Sequence, residues 1–271
     1  MRFTKMHGLG NDYIYVYDEV PENITDLSVG LSDRHFGIGS DGMIYITPSK
    51  IADFGMRIFN ADGSEAMMCG NGIRCVGKYV YDHGYTDKTK LKIETLSGIK
   101  TLDLFTVGGK VNAVSVGMGK GRVLPDKVLD LSLCDGGSKR IVCTPVSVGN
   151  PHAVVFVDDI ESVDLPDIGP LIEHHPEFLG GVNAEFVQVL PDRSLRMRVW
   201  ERGSGITMAC GTGACASVFA AVSKLYCPHD VPVSVILDGG ILEITVHRNG
   251  EITMTGPATT VFEGEITNDQ A

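Results

Sequence analysis

The chain is written twice. Met56-Arg57-Ile58-Phe59-Asn60 returns as Met197-Arg198-Val199-Trp200-Glu201, an offset of 141 residues, and the same offset aligns Met67-Met68-Cys69-Gly70-Asn71-Gly72 with Met208-Ala209-Cys210-Gly211-Thr212-Gly213. Upstream, Gly10-Asn11 and the apolar stretch 13–16 match Gly149-Asn150 and the apolar stretch 153–157 at an offset of 139. Downstream, Ile99 to Gly108 matches Ile241 to Gly250 at 142. A register that drifts so little along the whole chain marks two diverged copies of one domain. Any fold for this sequence must therefore be buildable in about half its length. The copies are expected at 1–117 and 118–256, with the tail 257–271, which carries a strand-like run at 259–262, returning to complete the first.

In the first copy, apolar runs at 12–18, 41–47 and 54–60 read as strands, followed by one helix over about 70–83 and two or three strands through 92–117. The second copy repeats this with strands near 141–147, 152–158, 184–190 and 194–201, a helix over 211–226, and strands at 231–237, 241–247 and 251–255. The Gly- and Pro-bearing segment 118–140 reads as the connection. Strands outnumber helices without regular alternation, so the expected class is α+β rather than a doubly wound sheet. Within the second helix, Cys215-Ala216-Ser217-Val218-Phe219-Ala220-Ala221-Val222 is apolar nearly all round and must be buried on every side. A curved mixed or antiparallel sheet wrapped around a central helix meets that demand, in two similar halves related by a pseudo-twofold axis. The first helix puts Ile73, Val76 and Val80 on one face and is expected to end at Gly84.

Composition narrows the partners. With 23 basic and 34 acidic residues the net charge is −11, and no block of Lys or Arg is present, which argues against nucleic acid or an anionic membrane surface. A small molecule or a protein is the expected partner. No window approaches the roughly 20 apolar residues of a membrane span and the first residues lack a signal-peptide run, so a cytoplasmic location is expected. Seven cysteines without a C-x2-C pair read as reduced thiols, not as a disulfide framework, a zinc site or a thioredoxin-like motif.

Cys69 and Cys210 each stand directly before Gly-x-Gly at the opening of a predicted helix. Unpaired N–H groups and the positive end of the helix dipole there are expected to lower a thiol pKa from about 8.5 towards neutrality. The glycines let a carboxylate approach those N–H groups. Equivalent positions in two copies are expected to face one another, as inversion at carbon requires: a thiolate removes a proton from one face and a thiol delivers one to the other. Buried cysteines commonly serve as small hydrophobes, and Cys75, Cys134, Cys143, Cys215 and Cys227 are read that way. The duplicated Cys-Gly-x-Gly context sets the other two apart.

Asn60-Ala61-Asp62-Gly63-Ser64 leading to Cys69-Gly70-Asn71-Gly72-Ile73-Arg74-Cys75, then Gly149-Asn150-Pro151-His152, then Glu201-Arg202-Gly203-Ser204-Gly205 leading to Ala209-Cys210-Gly211-Thr212-Gly213-Ala214-Cys215, closely resemble the diaminopimelate epimerase family. The opening Lys5-Met6-His7-Gly8-Leu9-Gly10-Asn11-Asp12 resembles it too, and the likeness holds in order and spacing from residue 3 to about 267. The resemblance implies an isomerase that needs no cofactor or metal, works as a homodimer and converts LL-2,6-diaminopimelate to the meso form in lysine and peptidoglycan-precursor biosynthesis. It implies that Cys69 and Cys210 are proton acceptor and donor, exchanging roles with direction, and that His152 and Glu201 support catalysis. It implies substrate contacts at Asn11, Asn60, Gly70, Asn71, Asn150, Asn183, Glu201, Arg202, Gly211 and Thr212.

The chemistry of these residue types suits the implied roles. Carbanion charge spreads onto the adjacent carboxylate, which the Gly70/Asn71 and Gly211/Thr212 N–H groups can hold. Arg202 suits a distal carboxylate, and Asn60 and Asn183 suit a distal ammonium. Asn60 corresponds to Glu201, so the copies differ where an asymmetric substrate needs them to. Taken singly, Arg202 reads equally as a surface ion-pair partner, Asn60 and Asn183 as turn-capping amides, and His152, opening a strand after Pro151, as a structural histidine. Two positions depart from the commonest pattern. Some members carry glutamine where this chain has Gly42, so that side-chain contact is absent, and Thr212 stands where serine is also common. Gly37-Ile38-Gly39-Ser40-Asp41-Gly42 reads as a strand-to-strand turn rather than a phosphate loop. Two other functions stay open on the residues: a proline-racemase-like epimerase using the same cysteine pair, and a thiol redox sensor in which Cys69 and Cys210 form a reversible disulfide. The Asn-rich set with Glu201-Arg202 favours a substrate with a second amino-acid end.

Overall fold

The computed structural model describes residues 1–133 and 136–267; Cys134 and the last four residues of the 257–271 tail lie outside the described residues. The chain divides into two compact units, one made of Met1–Gly117 and the tail from Thr255, the other of Met118–Met254. The first contains β1 (Arg2–Gly8), β2 (Asn11–Tyr17), α1 (Ile24–Ser32), β3 (Gly42–Thr47), β4 (Phe54–Asn60), β5 (Glu65–Ala66), α2 (Gly70–Asp82), β6 (Lys90–Thr95), β7 (Gly98–Val107) and β8 (Lys110–Lys120). The second follows with β9 (Arg122–Val123), β10 (Lys127–Ser132), β11 (Ser138–Ser147), β12 (Pro151–Phe156), a 3-10 turn at Ile160–Ser162, α3 (Leu165–Glu173), β13 (Asn183–Val189), β14 (Leu195–Glu201), β15 (Gly205–Ile206), α4 (Gly211–Ser223), β16 (Val233–Leu237), β17 (Gly240–Val246) and β18 (Glu251–Pro257); β19 (Thr259–Glu265) ends the chain's regular structure.

Both units use one pairing rule. In the first, β1·β2 is antiparallel, β2·β3 parallel, β3·β4 antiparallel, β4·β6 parallel and β6·β7 antiparallel. In the second, β11·β12, β12·β13, β13·β14, β14·β16 and β16·β17 repeat that alternation. Each unit is thus a mixed sheet within an α+β fold. β19 lies antiparallel on β1, with Phe3 opposite Gly264, and β10 lies antiparallel on β11.

Each sheet carries helices on both faces. In the first unit Ile14, Val16, Met43, Tyr45 and Phe59 cluster with Ile24 and Leu31 of α1, and the alternate residues turn to α2. The Tyr15 hydroxyl donates to Gly72 O at 3.2 Å, and a Cβ on Gly72 would lie 2.6 Å from Ile44 Cδ1. In the second unit Ala153, Val155, Ala184 and Phe186 pack with Ile168 and Ile172 of α3, while α4, ten of whose 13 residues are buried, packs against β9, β11–β14, β16 and β17. Burial on both faces explains why these strands read as continuous apolar runs.

Three expectations need correction. One helix per copy was expected, but each unit has a second, α1 or α3, between its parallel pair β2·β3 or β12·β13, where the crossover needs a bridging element. The signal was hidden by Gly30 in α1 and by Pro166 and Pro170 in α3, where Pro166 occupies the first turn and Pro170 lies inside the helix. The segment 118–140 is not a plain connection, since β8 runs to Lys120 and β9 and β10 follow. Finally, residues 37–42 join a helix to a strand rather than two strands, with Ile38 and Gly39 N–H groups donating to Leu31 O at the end of α1.

Candidate active site

Cys69 is the N-cap of α2. Its backbone is extended, at φ −133° and ψ 117°, and its Sγ accepts the Gly72 N–H at 3.3 Å. Cys210 caps α4 in the same way, at φ −108° and ψ 106°, and accepts the Gly213 N–H at 3.3 Å. A sulfur thus does what a Ser or Asp oxygen does at most N-caps. Gly70 and Asn71, and Gly211 and Thr212, are the first helical residues and lie at the positive end of their helices.

Around Cys69 the partners are amide and phenol groups. The Cys69 thiol donates to Asn11 Oδ1 at 3.3 Å, and Asn11 Nδ2 donates to Asp41 Oδ2 at 2.8 Å. Asp41 also accepts the Asp12 N–H and an Arg34 N–H. Burial would raise the Asp12 carboxyl, but hydrogen bonds from Arg34 and Lys5 hold it below its ordinary value. The Tyr13 phenol lies beside Cys69 and Asn11, and burial first, then the Cys69 sulfur, push it well above the usual range. Asn71 Oδ1 accepts from the fully buried Arg74, and Asn60 Nδ2 donates to Ser64 Oγ at 3.1 Å.

Around Cys210 the partners are ionisable. Strand alternation sends Ala153, Ala184 and Phe186 to α3, so His152, Asn183 and Glu185 project on the α4 side. Parallel register sets His152 beside Asn183. His152 Nδ1 and Glu185 Oε1 are 2.6 Å apart with both side chains fully buried, and His152 Nε2 lies 3.0 Å from Asn150 Oδ1. Asn150 Nδ2 donates to Thr212 Oγ1 at 3.2 Å, and Thr212 Oγ1 lies 3.6 Å from Cys210 Sγ. A Cβ on Gly213 would sit 2.8 Å from Glu185 Oε1 and 3.2 Å from Cys210 Sγ, so carboxyl and thiol crowd one side of the helix start. Glu201 closes β14, its Oε1 accepting the Thr207 hydroxyl. Asn183 spends its amide on backbone, donating to Pro151 O and accepting the Arg202 N–H. The Arg202 guanidinium donates to Gly180 O and lines a cavity of about 340 Å³ with Glu173, His174, His175 and Phe178.

The second thiol overturns one expectation. Cys210 was expected to be lowered towards neutrality, yet burial first, then Glu201 and Glu185, push it well above the ordinary thiol range, outweighing the Thr212 and Gly213 bonds that favour thiolate. A helix start in a dry carboxylate-lined site does not make a thiolate by itself. Burial likewise raises Glu185 against the pull of His152. Among the described residues, Glu185 Oε2 is the one buried side-chain polar atom with no partner, a condition that costs about 1–3 kcal/mol. Among the same residues no group of three or more His, Cys, Asp or Glu side chains is set to hold a metal ion.

Three residues of these clusters escaped the sequence reading: Tyr13, Asp41 and Glu185. The repeat register contained two of them. Tyr13 aligns with His152 at an offset of 139, and Glu185 aligns with Ile44 at 141, so the strands of each copy set a different polar group beside the start of its central helix.

Two mixed sheets of one topology, each packed on a central helix, define a class of fold. Solved structures share it: a phenazine biosynthesis protein of the PhzF family from Bacillus anthracis, with a TM-score of 0.78 at 15% identity over 98% of this chain and 99% of the other, and a probable proline racemase from Agrobacterium radiobacter K84, with a TM-score of 0.72 at 17% identity over 99% and 93%. Such low identity speaks for the fold alone. The family model described as diaminopimelate epimerase matches residues 3–124 and 144–261. Diaminopimelate epimerases from Acetivibrio thermocellus and Phocaeicola vulgatus are 50% and 52% identical to the chain, each over 98% of both sequences. The chain belongs to the diaminopimelate epimerase family.

Proposed function

We propose that the protein converts LL-2,6-diaminopimelate to meso-diaminopimelate without a cofactor, in lysine and peptidoglycan-precursor biosynthesis, with Cys69 and Cys210 as its two acid/base groups. Family membership supports the substrate. The observation that carries the mechanism is the matched pair of cysteine N-caps, each sulfur 3.3 Å from an N–H of its own helix start. In the LL-to-meso direction Cys69 removes the α-proton and Cys210 delivers one to the opposite face. Cys210 suits the donor role, because burial, Glu201 and Glu185 keep it protonated. The N–H groups of Gly70, Asn71, Gly211 and Thr212 hold the α-carboxylate as charge builds on it. Asn11 and Asn150 hold the region of each thiol, His152 and Glu201 support Cys210, Arg202 takes the distal carboxylate, and Asn60 and Asn183 border the distal ammonium. We place the enzyme in the cytoplasm, where thiols stay reduced, as a homodimer, a state that light scattering would report directly.

The test is LL-diaminopimelate in buffered D2O with nothing else added. The expected product is meso-diaminopimelate carrying deuterium at the inverted α-carbon. Cys69→Ser and Cys210→Ser should each lower kcat by roughly a hundredfold or more, the scale of a lost acid or base. Undiminished epimerisation in both variants, or product without solvent deuterium, would refute the two-thiol mechanism.

A further inference from the structure

We propose that Glu185 is a positioning residue for Cys210: it fixes the tautomer of His152, and through Asn150 and Thr212 that tautomer aims a hydroxyl at the Cys210 sulfur. This inference rests on the epimerase reading above, and it concerns a residue that contacts other side chains and no substrate.

The bond directions follow from the chain of contacts. Asn150 Nδ2 faces Thr212 Oγ1 at 3.2 Å and donates to it, so Asn150 Oδ1 is an acceptor. His152 Nε2, 3.0 Å from that oxygen, must then carry its hydrogen. One proton is left to be shared between His152 Nδ1 and Glu185 Oε1 at 2.6 Å. A ring whose Nδ1 is engaged by an acid keeps its Nε2–H, as partners of one ring nitrogen set the state of the other. Thr212 Oγ1, already accepting from Asn150, has its own hydrogen free for Cys210 Sγ at 3.6 Å. Together with the Gly213 N–H at 3.3 Å, the sulfur then has two donors ready for the charge it acquires when its proton leaves.

Two observations set Glu185 apart from a packing residue. Its Oε2 is buried without a partner, so the carboxyl is poorly suited to stabilise the core. In the first copy the same place holds Ile44, which packs against Gly72 just as Glu185 packs against Gly213, so an apolar side chain serves the fold there. The titratable groups facing this cluster are His152 from β12, Glu185 from β13 and Glu201 at the end of β14; α4 supplies Cys210, the Thr212 hydroxyl and the Gly213 N–H.

Glu185→Gln and Glu185→Ile separate the possibilities. Glutamine can donate to Nδ1 and preserve the Nε2–H form; isoleucine copies the first unit and cannot. In 15N spectra of the histidine rings, with His152 assigned by difference from a His152→Gln sample, the wild type and the Gln variant should show a protonated Nε2, and the Ile variant a mixture of ring forms. In the assay, Glu185→Gln should keep kcat within about threefold. Glu185→Ile should lose about tenfold or more in kcat with KM little changed, since no substrate contact is removed. The unfolding midpoint of the Ile variant should change little, because the lost His152 Nδ1 bond is offset by removal of the partnerless Oε2 and by apolar packing against Gly213. Three results would each overturn the proposal: unaltered ring spectra and kcat in Glu185→Ile, equal losses of kcat in both variants, or a fall in unfolding midpoint that parallels the fall in kcat. Should the wild type fail to epimerise diaminopimelate, the functional reading falls instead, while the ring spectra and midpoints still decide whether Glu185 holds His152.

Discussion

Gly42 shows how much one missing side chain can determine. Its φ is +151°, and an added Cβ would lie 2.1 Å from the Phe59 carbonyl oxygen and 2.9 Å from Asn60 Cα, both backbone atoms that a rotamer change cannot move. No side chain can project there, so the glutamine some family members carry has no counterpart in this chain. Asp41, one residue earlier, reaches Asn11 instead, at 2.8 Å. Gly42→Ala should therefore cost about 2–3 kcal/mol, the scale of an imposed backbone strain, read as a lower urea midpoint. A midpoint within error of wild type would show that β3 shifts freely against β4. Asp41 and Glu185 were not legible as site residues for a related reason. A lone carboxylate beside a turn or inside an apolar strand reads as solvated or anomalous until its partner is known, and their partners Asn11 and His152 lie 30 and 33 residues away.

The starts of α2 and α4 were legible to the residue because they are marked locally by Cys-Gly-x-Gly, and the end of α2 by Gly84, which takes φ +76° just past it, whereas α4 ends at Ser223, three residues short of the expected 226. The cap itself makes a testable distinction. Serine is among the strongest N-caps and alanine among the weakest. Cys210→Ser should therefore melt close to wild type while Cys210→Ala loses about 1 kcal/mol more, although both lose the thiol chemistry. Equal stability of the two variants would mean that the Sγ bond to Gly213 does not hold the helix start. Helices α1 and α3 lack the Cys-Gly-x-Gly mark, although α3 is capped by Asp164, whose carboxylate accepts the Asp167 N–H at 3.3 Å. α1 has no side-chain cap bond at Asn23, and α3 contains an internal proline, so tertiary packing against the outer sheet face decides both. Most strands were legible as apolar runs, but β1 was not read as a strand, and β10 alternates buried and exposed residues within a stretch read as connection, its pairing with β11 set by a partner rather than by its own sequence.

At the scale of the whole chain, the repeat determined the architecture and the ionisable groups determine its pH range. On the acid side, Lys88 holds Asp53 and Lys224 holds Asp126 below their ordinary carboxyl values, and Arg34 and Lys5 do the same for Asp12 against its burial. A depressed folded pKa gives stability that is present above the unfolded value, 3.8 for these groups, and lost as pH falls through the folded one. On the alkaline side the sign reverses. Burial raises Cys75 from 9.0 to about 11 and Tyr45 and Tyr79 from 10.0 to about 12, so above pH 9 the unfolded chain releases protons that the folded chain keeps. Folding then binds more protons than unfolding, and stability falls with rising pH. The net charge of −11 at neutrality grows in the same direction and adds repulsion. Cys75, wholly buried, contributes about 1.4 kcal/mol per pH unit over its window, or about 3 kcal/mol by pH 11. Urea midpoints should hold a plateau from about pH 5 to 8.5 and drop on either side. Cys75→Ala should flatten the alkaline limb by that increment and leave the acid limb alone, because alanine cannot ionise. An alkaline slope identical in the variant would show that Cys75 ionises in the folded protein as readily as in the unfolded chain, and that the interior around α2 admits water.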